Sequence, residues 1–170
     1  MKATLFFVIG LFVFTTNSPG QKNTSWAKWT WLMGEWKGEG SGEPGKGGGT
    51  FSFKPDLNEK ILVRKDHSEY PASAKGRATI HDGLLIVYLD FSGDPSKAIY
   101  FDNEGHTINY SISYADKIIV LLSDKIPNVP VFRLTYSLLD KEVINTKFEM
   151  SQDGGGSFMT YIEGKSIKIK

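Results

Sequence analysis

The sequence predicts an all-β fold: an antiparallel up-and-down β-barrel of about ten strands, preceded by a short N-terminal turn or helix. Three observations predict it. Apolar and polar residues alternate with a period of two along many short runs, the mark of half-buried strands. Turn signals built on Gly, Asp, Asn and Pro separate those runs at regular intervals. No stretch carries a 3.6-residue apolar period over the length of a helix.

The composition fits one folded domain. The chain has 170 residues, 40% hydrophobic and 23% charged, enough for a sizeable core and too apolar for a disordered chain. Lys2 is the only charged residue among the first twenty, so 19 basic and 19 acidic side chains remain in 21–170. A neutral domain has no electrostatic case for nucleic acid or an anionic membrane as partner. There is no cysteine, which excludes disulfides, thiolate metal sites, a cysteine nucleophile and a lipoprotein anchor. Lys2, the apolar run LFFVIGLFVF at 5–14 and the small residues Ser18 and Gly20 read as a signal peptide over 1–20, cut before Gln21. The apolar run is too short to cross a bilayer stably. The expectation is a secreted or periplasmic protein, one barrel domain over 21–170, with no stable membrane insertion after cleavage.

Taken in order, residues 21–31 place Trp26 and Trp29 three apart, so one helical turn would bring them together with Met33 against one barrel end. The stretch WLMGEWKGEGSGEPGKGGGTFSF at 31–53 reads as the opening hairpin, with Trp36 alternating against Glu35 and Lys37, and Phe51 and Phe53 against Ser52. After the turn PDLNE comes a strand at 60–70. One of its faces carries Ile61, Val63, Lys65, His67 and Glu69, the other Leu62, Arg64, Asp66, Ser68 and Tyr70. Two mixed faces suit a barrel with a partly polar interior. A short strand is expected at 75–80, a turn at His81-Asp82-Gly83, and strands at 84–91 and 98–102. Asn103-Glu104-Gly105 is a tight turn with glycine where φ is positive. Strands follow at 106–114, 117–124, 131–139, 142–150 and 158–170, with Ala115-Asp116 and Asp140-Lys141 as hairpin turns.

Gly34-Glu35-Trp36, followed by Gly38, Gly40 and Gly42, resembles the opening of calycin (lipocalin-like) barrels. LMGEWKGEGSG and Phe51-Ser52-Phe53 resemble nitrobindin-like barrels more closely. KILVRKDHSEYP, AIYFDNEGH and FRLTYSLLD look like an exported bacterial lipocalin-like family. The resemblance, over about 31–164, implies a barrel of roughly ten strands around an internal cavity. Nitrobindin-like barrels hold haem through a histidine on a late strand. Here His67, His81 and His106 all precede the last four predicted strands, so haem becomes the alternative reading and no cofactor is expected.

The remaining chemistry points to binding rather than catalysis. No Gly-x-Ser-x-Gly elbow and no phosphate loop leading into a helix is present, and His67 with Glu69 alone is a weak metal signal. Ligand cavities combine aromatic walls with a few placed polar groups. The candidate ligand contacts are therefore Trp36, Arg64, His67, Tyr70, Tyr88, Tyr100, Asp102, Tyr110, Arg133 and Tyr136. Arg64 shares its face with Leu62, which favours an inward position. Arg133 alternates with Phe132, Leu134 and Tyr136, which favours an outward one. A buried arginine needs a carboxylate partner or an anionic ligand. The expected function is a non-enzymatic, exported barrel holding a small hydrophobic or amphipathic molecule. The alternatives are a haem or tetrapyrrole carrier using His67 or a tyrosine, and a barrel with only a structural or interaction role.

Overall fold

The structure, a computed structural model, describes residues 24–40, 48–70, 72 and 77–169. The expected signal peptide lies outside these residues, as do Gly42 and the start of the strand expected at 75–80. Ten strands follow a 3-10 helix at Thr24–Trp29: β1 Gly34–Gly38, β2 Thr50–Asp56, β3 Ile61–Tyr70, β4 Thr79–Tyr88, β5 Lys97–Asp102, β6 Thr107–Ala115, β7 Ile118–Ser123, β8 Val131–Asp140, β9 Val143–Ser151 and β10 Met159–Lys168. Each pairs antiparallel with its sequence neighbours, and β1 also pairs with β10, closing the sheet. Closure satisfies both edges of every strand.

Alternation decides what each strand turns inward. On β3 the inner face is Leu62, Arg64, Asp66, Ser68 and Tyr70, while Lys65, His67 and Glu69 are exposed. On β6 Ile108, Tyr110, Ile112 and Tyr114 are the more buried positions, and Thr107, Asn109, Ser111 and Ser113 face water.

The N-terminal turn closes one end of the barrel. Trp26, Trp29 and Leu32 are buried, and Met33 packs partly buried against the same core. Each indole also finds an acceptor, as a buried N–H must. Trp26 Nε1 donates to the Glu59 carbonyl at 2.8 Å, Trp29 Nε1 to the Tyr114 hydroxyl at 2.8 Å, and Trp36 Nε1 to the Leu32 carbonyl at 2.8 Å. The Tyr114 hydroxyl in turn donates to the Pro95 carbonyl, so three distant segments are tied at this end.

Three turn expectations are corrected. His81-Asp82-Gly83 is not a turn but the middle of β4, paired with Ser68, His67 and Asp66 of β3. Glycine is there because the Asp66 carboxylate occupies its side-chain space: a Cβ at Gly83 would lie 2.5 Å from Asp66 Oδ1. The β6–β7 turn is Asp116-Lys117, with Lys117 at φ 53°, and the β8–β9 turn is Lys141-Glu142. Both sit one residue later than expected, because the residue before each still pairs across the hairpin.

Candidate functional site

The inner face divides into two parts. Towards the end closed by the tryptophans, Leu62, Val87, Ile119, Tyr136 and Ile144 are almost fully buried and fill the barrel. Towards the other end, Phe51, Tyr100, Ile108, Phe132 and Phe148 face inward yet remain only partly buried. That difference marks the upper part of the interior, here called the cup, as the less fully covered one, with Tyr114 and Leu138 at the closed end also only partly buried. Phe132 and Phe148 stack at 5.6 Å. Tyr161, the extra residue at a bulge between Thr160 and Ile162, meets Phe148 edge-on at 6.2 Å.

A charged pair sits among these rings. Arg64 Nη1 donates to Asp66 Oδ1 at 2.6 Å, and the two side chains keep 13% and 9% of their surface accessible. The guanidinium also lies 5.2 Å from the Phe51 ring centre. Burial is the largest single influence on Arg64 and pushes it towards the neutral form, but the Asp66 carboxylate together with Tyr136, Tyr100 and Tyr110 outweighs it, and the group is held above its ordinary value. Three polar atoms near the pair or on the facing strands are buried with no hydrogen-bond partner among the described residues: Arg64 Nε, the Tyr136 hydroxyl and Thr146 Oγ1. Tyr136 and Thr146 are paired across β8 and β9. Burial, opposed by the Arg64 charge, pushes the Tyr136 phenol up to about 12. Burial also raises Tyr100 and Tyr110, so all three phenols stay protonated at neutral pH.

Of the expected contacts, Arg64, Tyr70, Tyr100, Tyr110 and Tyr136 take inward positions. Trp36 is inward but fully buried and bonded to Leu32, which makes it part of the packed wall. Asp102 has an inward register opposite Gly83, but its carboxylate is engaged by its own hairpin. It accepts from His106 Nδ1 at 2.8 Å and from the amides of Glu104 and His106 at 3.0 and 2.9 Å.

Three expected contacts are on the wrong face for the interior. His67 is on the outer face, with Nδ1 2.7 Å from Asp82 and Nε2 3.2 Å from Glu69, which also removes it as an axial ligand inside the barrel. Tyr88 alternates with inward Val87 and faces solvent. Arg133 is outside, bonded to Glu149 at 2.7 Å and 3.9 Å from the Phe158 ring centre. In each case strand parity, rather than residue chemistry, fixes the direction. Asp66, Thr146, Phe132 and Phe148 were missed. Alternation along β3 had already put Asp66 on the Arg64 face, so that partner was legible.

A shallow groove of about 660 Å³ lies elsewhere, across the outside of β1 to β5, where Lys65, His67, Asp82, Leu84 and Phe101 meet. Among the described residues no group of three or more His, Asp and Glu side chains is arranged to hold a metal ion.

The described residues form a closed, ten-stranded, all-antiparallel barrel, consistent with lipocalin-like architecture. No protein-family model matches it, and no curated protein is similar to it in sequence.

Proposed function

We propose that this protein binds a small apolar or amphipathic molecule in the open half of its barrel, with the polar end of the ligand near Arg64 and the apolar body against Phe132 and Phe148. One observation carries the reading. The Arg64–Asp66 pair and the rings of Phe51, Tyr100, Phe132 and Phe148 towards the open end keep some accessible surface, whereas Phe53, Leu85 and Tyr136 beside and below them are fully buried. An ion pair is costly to bury without further partners, and aromatic walls with few polar groups suit a small-molecule site. Tyr161, Met159, Ile126 and Val129 are exposed at the open end, an apolar rim of the kind an apolar ligand would cross on entry.

The protein acts in this reading as an exported carrier and not as an enzyme, without nucleic acid as partner and without membrane insertion after cleavage. Export rests on the sequence pattern of residues 1–20. The likeness to nitrobindin-like barrels rests on LMGEWKGEGSG and Phe51-Ser52-Phe53, and that to an exported bacterial family on KILVRKDHSEYP, AIYFDNEGH and FRLTYSLLD.

Incubating the purified protein with a bacterial lipid extract, repurifying it and analysing the bound species by mass spectrometry tests the function. A defined small molecule retained at near one equivalent is expected. Recovery of nothing above the level of a variant with Phe148→Arg, which places a charge in the cup, would sink the proposal.

A further inference from the structure

Among the described residues, the one cation of the cup is already paired with a carboxylate, and that constrains the ligand. The inference rests on the binding role proposed above. Arg64 donates Nη1 to Asp66 at 2.6 Å, and both groups are inside the barrel. Asp102 and His81 on the inner face are also engaged. Asp102 is held by His106 and two backbone amides. His81 Nε2 shares a hydrogen bond of 2.9 Å with the Tyr100 hydroxyl, and its Nδ1 lies 3.2 Å from Glu104. Lys168 Nζ lies 5.3 Å from the Trp36 ring centre, beside a fully buried wall. Lys168, at the closed end, lies outside the cup, so among the described residues no cation of the cup is without a carboxylate partner.

A ligand carboxylate entering this cup would be the second anion on one guanidinium. It would also face Asp66 at low dielectric, where like charges repel strongly and lost hydration is not recovered. A ligand ammonium would meet Arg64 in the same way. A neutral oxygen meets neither penalty. The unpaired Arg64 Nε–H can only donate, and the Tyr136 and Thr146 hydroxyls beyond it are also without partners.

We propose that the site selects an uncharged amphipath whose buried end carries a hydrogen-bond acceptor, such as an alcohol, ester or amide, and discriminates against the free acid and the amine of the same chain. The partner that would ordinarily make a buried arginine an anion receptor is already supplied by Asp66.

The test uses three probes of equal chain length, 1-decanol, decanoate and decylammonium, titrated into the protein at pH 7 and followed by tryptophan fluorescence and calorimetry. The expected result is that decanol binds at least about tenfold more tightly than either ion. In Asp66→Asn, which leaves Arg64 uncompensated, the preference should move at least about tenfold towards decanoate. In Arg64→Gln it should move towards decylammonium. Decanoate or decylammonium binding as well as decanol in the wild type overturns the selectivity. So does an unchanged preference in a folded Asp66→Asn or Arg64→Gln protein. If neither variant folds, the wild-type ratio alone decides. Failure of all three probes to bind overturns the binding role itself, a different outcome from binding with the wrong preference.

Discussion

His67 shows how a single side chain is defined by its neighbours. Strand parity puts it on the outer face of β3, opposite Asp82 of β4. The hydrogen bond to Asp82, then that to Glu69, raises its pKa above the ordinary 6.5. The sign follows from linkage. The folded state holds the proton more tightly, so the pairing stabilises fully below the unfolded pKa and is lost as pH rises through the folded one. The ring is half exposed, and the effect on stability is correspondingly small. An NMR titration should place the His67 midpoint above 6.5, and Asp82→Asn should lower it. An unchanged midpoint in that variant would show that the bond to Asp82 is not the cause. Gly83 makes a second residue-scale point. It lies mid-strand, where glycine ordinarily weakens a sheet, and the neighbouring Asp66 carboxylate explains it.

At the scale of elements, the N-terminal 3-10 helix is too short to be stable alone. It holds its place through burial of Trp26 and Trp29 and through the bonds from their indoles to Glu59 and Tyr114. Those acceptors lie in the β2–β3 turn and at the end of β6, so the helix bridges segments far apart in sequence. Trp29 is fully buried, packed 5.7 Å from Phe53 and 6.3 Å from Tyr114. Its removal leaves a cavity and takes from the Tyr114 hydroxyl the hydrogen bond it accepts, while the hydroxyl's own bond to Pro95 remains. Trp29→Ala should cost about 3–5 kcal/mol in urea unfolding, and Trp29→Phe less. A loss under about 1 kcal/mol for Trp29→Ala would mean that the plug is not part of the folded core.

For the whole molecule, closure depends on its shortest element. β1 has five residues, against ten each for β3 and β4, yet it must pair with both β2 and β10 to complete the barrel. Local opening follows the least supported part of a structure. Hydrogen exchange should therefore release the β1 and β10 amides along their shared seam before those of β3 and β4. Uniform protection around the ring would show that the barrel opens only by global unfolding. The cup has the same dependence on the closed ring, because Arg64 and Phe51 on one side and Phe132 and Phe148 on the other come from strands that pair in different parts of it.

The sequence by itself determined the class of fold, the order and near-bounds of most strands, the tryptophan-lined end and the two faces of β3. Each of these follows from local alternation or a local turn, which neighbouring residues encode directly. It misread His81-Asp82-Gly83 as a turn, since the residues were right for one and only the carboxylate on the next strand explains the glycine. Alternation had already put Asp66 beside Arg64, and the contacts of Asp102 lie within its own hairpin. Tertiary structure alone decided that the upper half of the interior is less covered than the lower half, because closure of the sheet brings together side chains from strands far apart in the chain. An alternating pattern specifies which residues share a face, and only the closed barrel specifies what they meet there.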